Sequence, residues 1–524
     1  MDLLHSPAIG TGHQQPVTSV WQVLGRQPLR YFIPCAAAFT YLEVFLLPHS
    51  PLLAQGDQSI YLLNAARMVQ GQLIYRDFFQ FTPPGTELVY ATLFRLFGVR
   101  SWIPQAMLVA LGTSLAALAV SISARLMKGP TALLPGILFL TIPFRVSLDG
   151  THHWYSTLAV SAALRVVIDH RDPPRLAFAG ALCGLATCFT QFTGFTVIFA
   201  IGTFLVWERR GARSNSLMKA EAWLVGPFLG AIVAGNAYFI WKVGLARFLF
   251  CTVVFGVRFY PSMWFNTWSV YMVELPSLNS WTDLPHWGGF LFIIGILPTV
   301  YTLFFVRYWR VSAACPREPW DRLMLVNLVG VFLLAGVAPA PSYFRLCSVC
   351  LPALVALVWF LNQPGTLERA LLILLWMTGL TMAIASPVRR QHQGRAYLDL
   401  PTGRTAFLDP VTYDEFRWVS ERTRPADFFF GNLLICFALR LRNPTQLDFL
   451  TTADYTRPEQ VADVINALEK YRVHYLVLWD FTLDSAGGKQ EPGNHLGPFL
   501  AYLGSHYHTV KNFSTGDLVW QRNP

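Results

Sequence analysis

The sequence predicts a polytopic α-helical membrane protein, about 11 to 13 helices followed by a C-terminal extracytoplasmic α/β domain. Three observations carry that expectation. Mean hydropathy is +0.40, and charged residues make up only 13% of the 524. Apolar runs long enough to cross a bilayer recur along the chain. From Pro387 onward the composition turns to that of a soluble domain built of short alternating segments. A soluble enzyme is excluded, and no nucleic-acid partner is expected. The net charge of +10 lies in short loops, with no basic helix interleaved with aromatics. Membrane lipids are the first expected partner.

Met1 to Val20 is polar without a cleavable signal pattern, so residues 1–30 are expected as a cytoplasmic segment before a retained anchor. Apolar segments at 31–48, 84–98, 102–124, 130–147, 153–169, 176–207, 221–241, 287–306, 323–339, 345–361 and 369–386 make a transmembrane domain of 31–386. The basic loops Glu208 to Lys219 and Arg307 to Arg322, with Arg26 and Arg30, are assigned to the cytoplasm of a cell membrane. Loops 49–83 and 242–286 and the tail 387–524 then lie outside. Lys128 and His170 to Arg175 also look cytoplasmic, which simple alternation does not allow. One segment is therefore expected to be short or re-entrant. At about 1.5 Å per residue 84–98 spans poorly, and 176–207 has room for two half-length helices hinged near Gln191 and Gly194. This arrangement leaves Asp149, His152 and His153 outside.

In the tail, Thr412 to Glu421 and Pro458 to Tyr471 read as helices, and Asp427 to Phe430, His474 to Trp479 and Tyr507 to Phe513 as strands. Ser485 to Gly497 reads as flexible. Cys436 is the one cysteine of the tail, so no disulfide forms within it. Cys347 and Cys350 form a CxxC on an apolar helix without a second ligand pair, which favours packing over a metal.

Chemistry concentrates in Gly56 to Gly98. Asp57 opens a helix with Ile60, Leu63 and Arg67 on one face and Gly71 as its stop. Arg76 and Asp77 precede two phenylalanines, and Pro83, Pro84 and Gly85 restart the chain as an apolar helix. An acid beside lipid suits a general base toward a hydroxyl, and nearby arginines suit a phosphate leaving group. Each residue also has a plainer role. Asp57 as an N-cap would be worth about 1 kcal/mol, and Arg76 with Asp77 as an exposed ion pair under about 1 kcal/mol. Glu87 suits the positive end of its helix. Glu43, Asp149, His152 and His153 are costly at apolar segments and point to a cavity or a partner, with Asp149 and His153 the favoured cavity residues. Adjacent histidines point to different helix faces, against a zinc site. The aromatic run from Arg258 to Trp287 reads as an interfacial belt, with Arg258 placed to touch phosphate.

The opening Asp57, the Tyr75-Arg76-Asp77-Phe78-Phe79 element, Pro83-Pro84-Gly85, Leu96-Phe97-Gly98 and the later Pro341 to Leu346 (PSYFRL) resemble the GT-C glycosyltransferases. Within them the chain is similar to the bacterial branch related to protein O-mannosyltransferases and the lipid A aminoarabinose transferase. The resemblance implies a GT-C fold and an inverting transfer of a sugar from a polyprenyl-phosphate donor to a glycolipid, polysaccharide or protein acceptor. It implies Asp57 as catalytic base, Asp77 near the acceptor or a metal, and Tyr343 and Arg345 at the donor phosphate; Arg76 and Arg258 are expected at that phosphate from their placement alone. Many relatives carry an acidic pair where this chain has Asp57-Gln58, and an acid and a lysine where it has Phe81-Thr82. No cofactor is required by the sequence, and a divalent metal is left open. The competing readings are a lipid-linked sugar transporter or flippase, and a catalytically inactive GT-C-like assembly subunit.

Overall fold

With no water in the bilayer to satisfy backbone polar groups, long apolar runs must close their hydrogen bonds internally as helices. The computed structural model describes residues 28–54, 56–210, 214–276, 278–280, 283–311, 320–479 and 493–524. The expectations for 1–27, for parts of the two basic loops and for 485–492 lie outside the described residues. Among those described, seven helices are long and apolar enough to cross a membrane, or eight if Tyr343–Val349 and Leu351–Leu361, bent by 63°, form one span.

Two faces bound the helical bundle. On one, the Asp169 carboxylate receives Arg125 at 3.2 Å, Arg165 at 3.4 Å and Arg322 at 3.5 Å, and Arg171 pairs with Glu208. On the other, the bundle meets the C-terminal domain. The Leu53 N–H donates to the Ala406 carbonyl at 2.9 Å, Ser101 N–H to Thr402 at 3.0 Å and Phe79 N–H to Gln446 at 2.8 Å. Among the described residues, six of these seven helices (Trp102–Ser123, Gln191–Glu208, Ser214–Val243, Leu284–Val311, Trp320–Val337 and Thr366–His392) and the bent pair form the bundle, together with the shorter segments Pro28–Val44, Pro130–Phe144, His152–Val167 and Pro173–Thr187.

The alternation problem resolves through two departures from the expected segments. Gly85–Phe97 does not cross. Its first N–H, on Gly85, donates to the Cys188 carbonyl at 3.0 Å, and just past its end Arg440 donates to the Val99 carbonyl at 2.8 Å, so both ends lie at the domain face. The run 176–207 is a complete hairpin of two crossing helices, not two half-length ones. Thr190 breaks it with extended backbone at φ −134°, ψ 118°, and Gly194 lets the arms touch, since a Cβ there would stand 2.0 Å from the Cys183 carbonyl oxygen. The loops of Lys128 and of His170 to Arg175 thereby join the face of Arg322, while Asp149, His152 and His153 join the domain face.

Leu245–Ser262 passes the length and hydropathy test for a span. It nevertheless lies across the domain face, because Arg247 donates to the Tyr75 carbonyl and Phe255 packs on Phe79 and Tyr455. Glu43, expected to need a partner, receives the Ser386 hydroxyl and lies 3.6 Å from Arg390. The last helix runs through Pro387 to His392, past the point where the composition changes.

In the first loop, β1 (Phe45–Leu46) and β2 (Ser50–Pro51) form a small hairpin. In the tail, β3 (Ala396–Leu400) and β4 (Gly403–Phe407) form another. β5 (Phe429–Gly431), β6 (Tyr475–Trp479), β7 (Tyr507–Asn512) and β8 (Asp517–Arg522) make a sheet of order β5-β6-β8-β7, parallel between β5 and β6 and antiparallel elsewhere. Strand alternation sends Phe429 and Val477 to one core and Phe430 and Leu476 to the other, so helices cover both sheet faces. Three strands lie outside the sequence expectations: β3 and β8, whose residues are largely half exposed, and β4, where Gly403, Arg404 and Thr405 interrupt any apolar run.

Candidate active site

The helix Gln58–Val69 starts without the expected cap. Asp57 makes no side-chain capping bond. Another carboxylate does that work: Asp149 accepts the Asp57 N–H at 2.9 Å and the Gln58 N–H at 2.8 Å. Gln58 returns the contact by accepting the Gly150 N–H at 3.1 Å, and Tyr90 donates to the Gly150 carbonyl at 2.9 Å. Gly56 is required here, since its φ is +70° and a Cβ would stand 2.4 Å from the Asp149 carboxylate. With its capping duty taken over, the Asp57 carboxylate is left for other partners. The surrounding protein raises its pKa above the ordinary aspartate value, and the Arg345 charge pulls it back. Burial, then the charge of Asp57, raises Asp149 as well.

Arg345 sits in the first turn of Tyr343–Val349, which Ser342 caps by accepting the Arg345 N–H at 3.4 Å. Its guanidinium donates to the Ala340 carbonyl at 2.8 Å, to Asn266 at 3.4 Å and to the Tyr260 hydroxyl, and lies over the Tyr260 ring. It lines a largely apolar cavity of about 260 Å³ together with His152, His153, Gln191 and Leu333. The two histidines share this cavity, contrary to the expectation of opposed faces. Their rings lie 4.0 Å apart, with His152 Nδ1 2.7 Å from the Thr190 hydroxyl and His153 edge-on to Phe344. Gln191 ties the walls together by donating to the Phe81 carbonyl at 2.7 Å and the Thr252 carbonyl at 3.1 Å. A second cavity of about 470 Å³ is lined by Gly56 and Ser59, the neighbours of Asp57. Asp57 lines neither cavity, but its neighbours line the second and the Arg345 charge that acts on it lines the first.

The remaining named residues are not brought to this point. Arg76 and Asp77 form a half-exposed ion pair with bonds of 2.9 and 2.8 Å, and Asp77 also accepts the Leu73 N–H at 2.7 Å. That pairing holds the Asp77 carboxyl below its usual range. Arg258 is exposed and stacks on its neighbour Phe259. The ring of Tyr343 stacks on Phe290 at 5.1 Å, while its N–H donates to Glu274 at 2.7 Å. Glu87 is fully buried and accepts from Gln80 at 2.8 Å, and burial pushes it up to about 8. A carboxyl held neutral gains little from a helix end. Tyr260, expected in an interfacial belt, and Asn266 instead hold Arg345, and no local pattern in the sequence pairs them with it.

Both Asp149 oxygens are engaged by backbone N–H groups, and among the described residues no three His, Cys, Asp or Glu side chains converge.

No protein-family model matches the sequence, and no curated protein matches it. Solved structures do match the fold. ArnT from Cupriavidus metallidurans bound to undecaprenyl phosphate superposes with a TM-score of 0.60 at 14% identity, covering 94% of this chain and 97% of that one. The apo state of the same protein gives 0.59 at 15% identity, with 94% and 98% covered. The oligosaccharyltransferase AglB from Archaeoglobus fulgidus, in complex with an inhibitory peptide and a dolichol-phosphate, gives 0.52 at 12% identity over 95% of this chain and 75% of that one.

The chain has the GT-C fold.

The GT-C likeness covers the helical bundle and the C-terminal domain together, which agrees with the resemblance read from Gly56 to Gly98 and from Pro341 to Leu346.

Proposed function

We propose that the chain is an integral membrane glycosyltransferase that moves one sugar from a polyprenyl-phosphate donor to an extracytoplasmic acceptor, with inversion at the sugar. The observation that carries the reading is the Asp57 carboxylate, relieved of capping by Asp149 and placed within the field of Arg345. An apolar cavity holding one guanidinium suits a lipid phosphate: the prenyl chain lies among Leu333, Val337 and Phe192, and Arg345 faces the charge. Asp57 removes the proton from the acceptor hydroxyl. The acceptor oxygen bonds to the anomeric carbon, the bond from that carbon to the phosphate oxygen breaks, and polyprenyl phosphate leaves with the electron pair. The solved neighbours bind undecaprenyl phosphate or dolichol-phosphate, which supports the donor class. The basic face of Asp169 and Arg322 is read as cytoplasmic and the C-terminal domain as extracytoplasmic.

The test is a deletion strain whose envelope lipids, polysaccharides and glycoproteins are compared with the parent by mass spectrometry. A single glycan lacking one sugar, restored by the wild-type gene and not by Asp57→Asn, is the expected result. An unchanged glycan profile would refute the transferase reading, and restoration by Asp57→Asn would refute Asp57 as its base. An alkaline phosphatase fusion after Arg390 is expected to be active; a silent one would place the domain on the wrong side for this acceptor.

A further inference from the structure

The cavity of about 470 Å³ beside Gly56 and Ser59 is separate from the one assigned above to the donor. It lies between the loop Met263 to Phe265 and the carboxyl ends of β5 and β6, where open α/β sheets place ligands. Its size falls within the roughly 300–1,000 Å³ of ordinary small-molecule sites.

Two features define its chemistry. Trp264 and Phe265 stand on its rim at 41% and 40% exposure, edge to face with each other, while Phe430 and Phe499 behind them are buried. Aromatic faces of that kind pack against the C–H face of a sugar ring as they do against any flat apolar surface. The second feature is charge: among its described lining residues there is no lysine, arginine or histidine, and the ionisable group is the Asp517 carboxylate. One Asp517 oxygen accepts from Asn432 at 3.0 Å, and Asn432 also donates to the buried Glu415 at 3.3 Å. A carboxylate backed by a second acid accepts hydroxyl groups and repels phosphates and carboxylates.

We propose that this cavity binds a sugar residue of an uncharged glycan acceptor, stacked on Trp264 and hydrogen-bonded to Asp517, with the hydroxyl to be glycosylated directed toward Asp57. The proposal rests on the transferase reading and sharpens it. The acceptor is a neutral saccharide, not a phosphorylated lipid headgroup or a peptide.

The experiment is binding of three probes to the full chain in lipid nanodiscs, followed by saturation-transfer NMR and calorimetry: a neutral hexose tetrasaccharide, the same tetrasaccharide carrying a phosphate monoester, and an uncharged apolar pentapeptide. The neutral tetrasaccharide is expected to bind, the phosphorylated one about tenfold more weakly or not at all. Trp264→Ala and Asp517→Ala are each expected to weaken it about tenfold. Arg76→Ala, in an exposed ion pair outside the cavity, should leave it unchanged. Absence of saccharide binding, equal affinity for the phosphorylated probe, or Trp264-dependent capture of the peptide instead of the sugar would overturn the proposal. The two readings fail separately. Trp264-dependent sugar binding without any transfer defect in the deletion strain sinks the transferase and keeps the sugar site, whereas transfer to an anionic acceptor does the reverse.

Discussion

Asp57 and Asp77 lie on one loop between the same two membrane helices, and both begin as acids next to helix or turn starts. Their surroundings divide them. Asp77 spends its oxygens on Arg76 and the Leu73 N–H in a turn open to water, which lowers its pKa and leaves it no proton affinity to use. Asp57, although exposed itself, has its backbone duty performed by Asp149 from another loop, and the apolar protein around it raises its pKa while Arg345 limits the rise. A carboxylate becomes available for proton transfer when something else satisfies the backbone around it.

The largest expected effect breaks or keeps this contrast directly. Asp57→Asn should lower turnover by about 10² to 10⁴ with donor binding retained, while Asp77→Asn stays within severalfold of wild type. Equal losses in the two variants would erase the distinction. Because the Asp57 pKa is raised, kcat/KM should fall on the acid side at a pH above the ordinary aspartate value, as protonation removes the base. A rate profile flat down to the ordinary aspartate range would contradict the raised pKa.

Next comes Arg345→Lys, which should weaken binding of a short prenyl-phosphate sugar by roughly ten- to a hundredfold, since an ammonium cannot keep two-pronged contacts. Exposed Arg258→Lys should leave that affinity within twofold or so. Affinity measured directly, not turnover, decides between them.

Asp149→Ala removes the carboxylate that caps the Asp57 helix start, a loss of about 1 kcal/mol, and should lower both the unfolding midpoint and turnover. Asp77→Ala, in its open turn, should move the midpoint far less. Similar shifts would show that the Asp149 bonds are not what holds the Asp57 helix start.

The smallest effect concerns Asp448, which receives Arg67 and Asn64 behind the same helix. Burial pushes its carboxyl up to about 6, although Arg67 pulls it back. A raised carboxylate pKa means that the folded form holds the proton more tightly. The associated stability is therefore full below the ordinary aspartate value and is lost as pH rises through about 6. Apparent unfolding midpoints of the full chain should decline over that range, and Asp448→Asn should flatten the decline. An unaltered slope would remove Asp448 from the account.

Hydropathy alone determined that this chain is a membrane-embedded helical bundle with an α/β tail, because burying backbone in lipid leaves no other solution for long apolar runs. The pattern from Asp57 to Gly98 was enough to point to the GT-C fold. Path through the bundle was a different matter. Whether Gly85–Phe97 crosses depends on what its ends touch, and both touch the domain face through contacts with Cys188 and Arg440, remote in sequence. The same holds for the site. Asp149 capping the Asp57 helix, Tyr260 and Asn266 holding Arg345, and the paired histidines in one cavity are long-range contacts with no periodicity to announce them. Local sequence sets which segments enter the membrane; which side chains share a cavity is decided only when separate loops close over one another on the domain face.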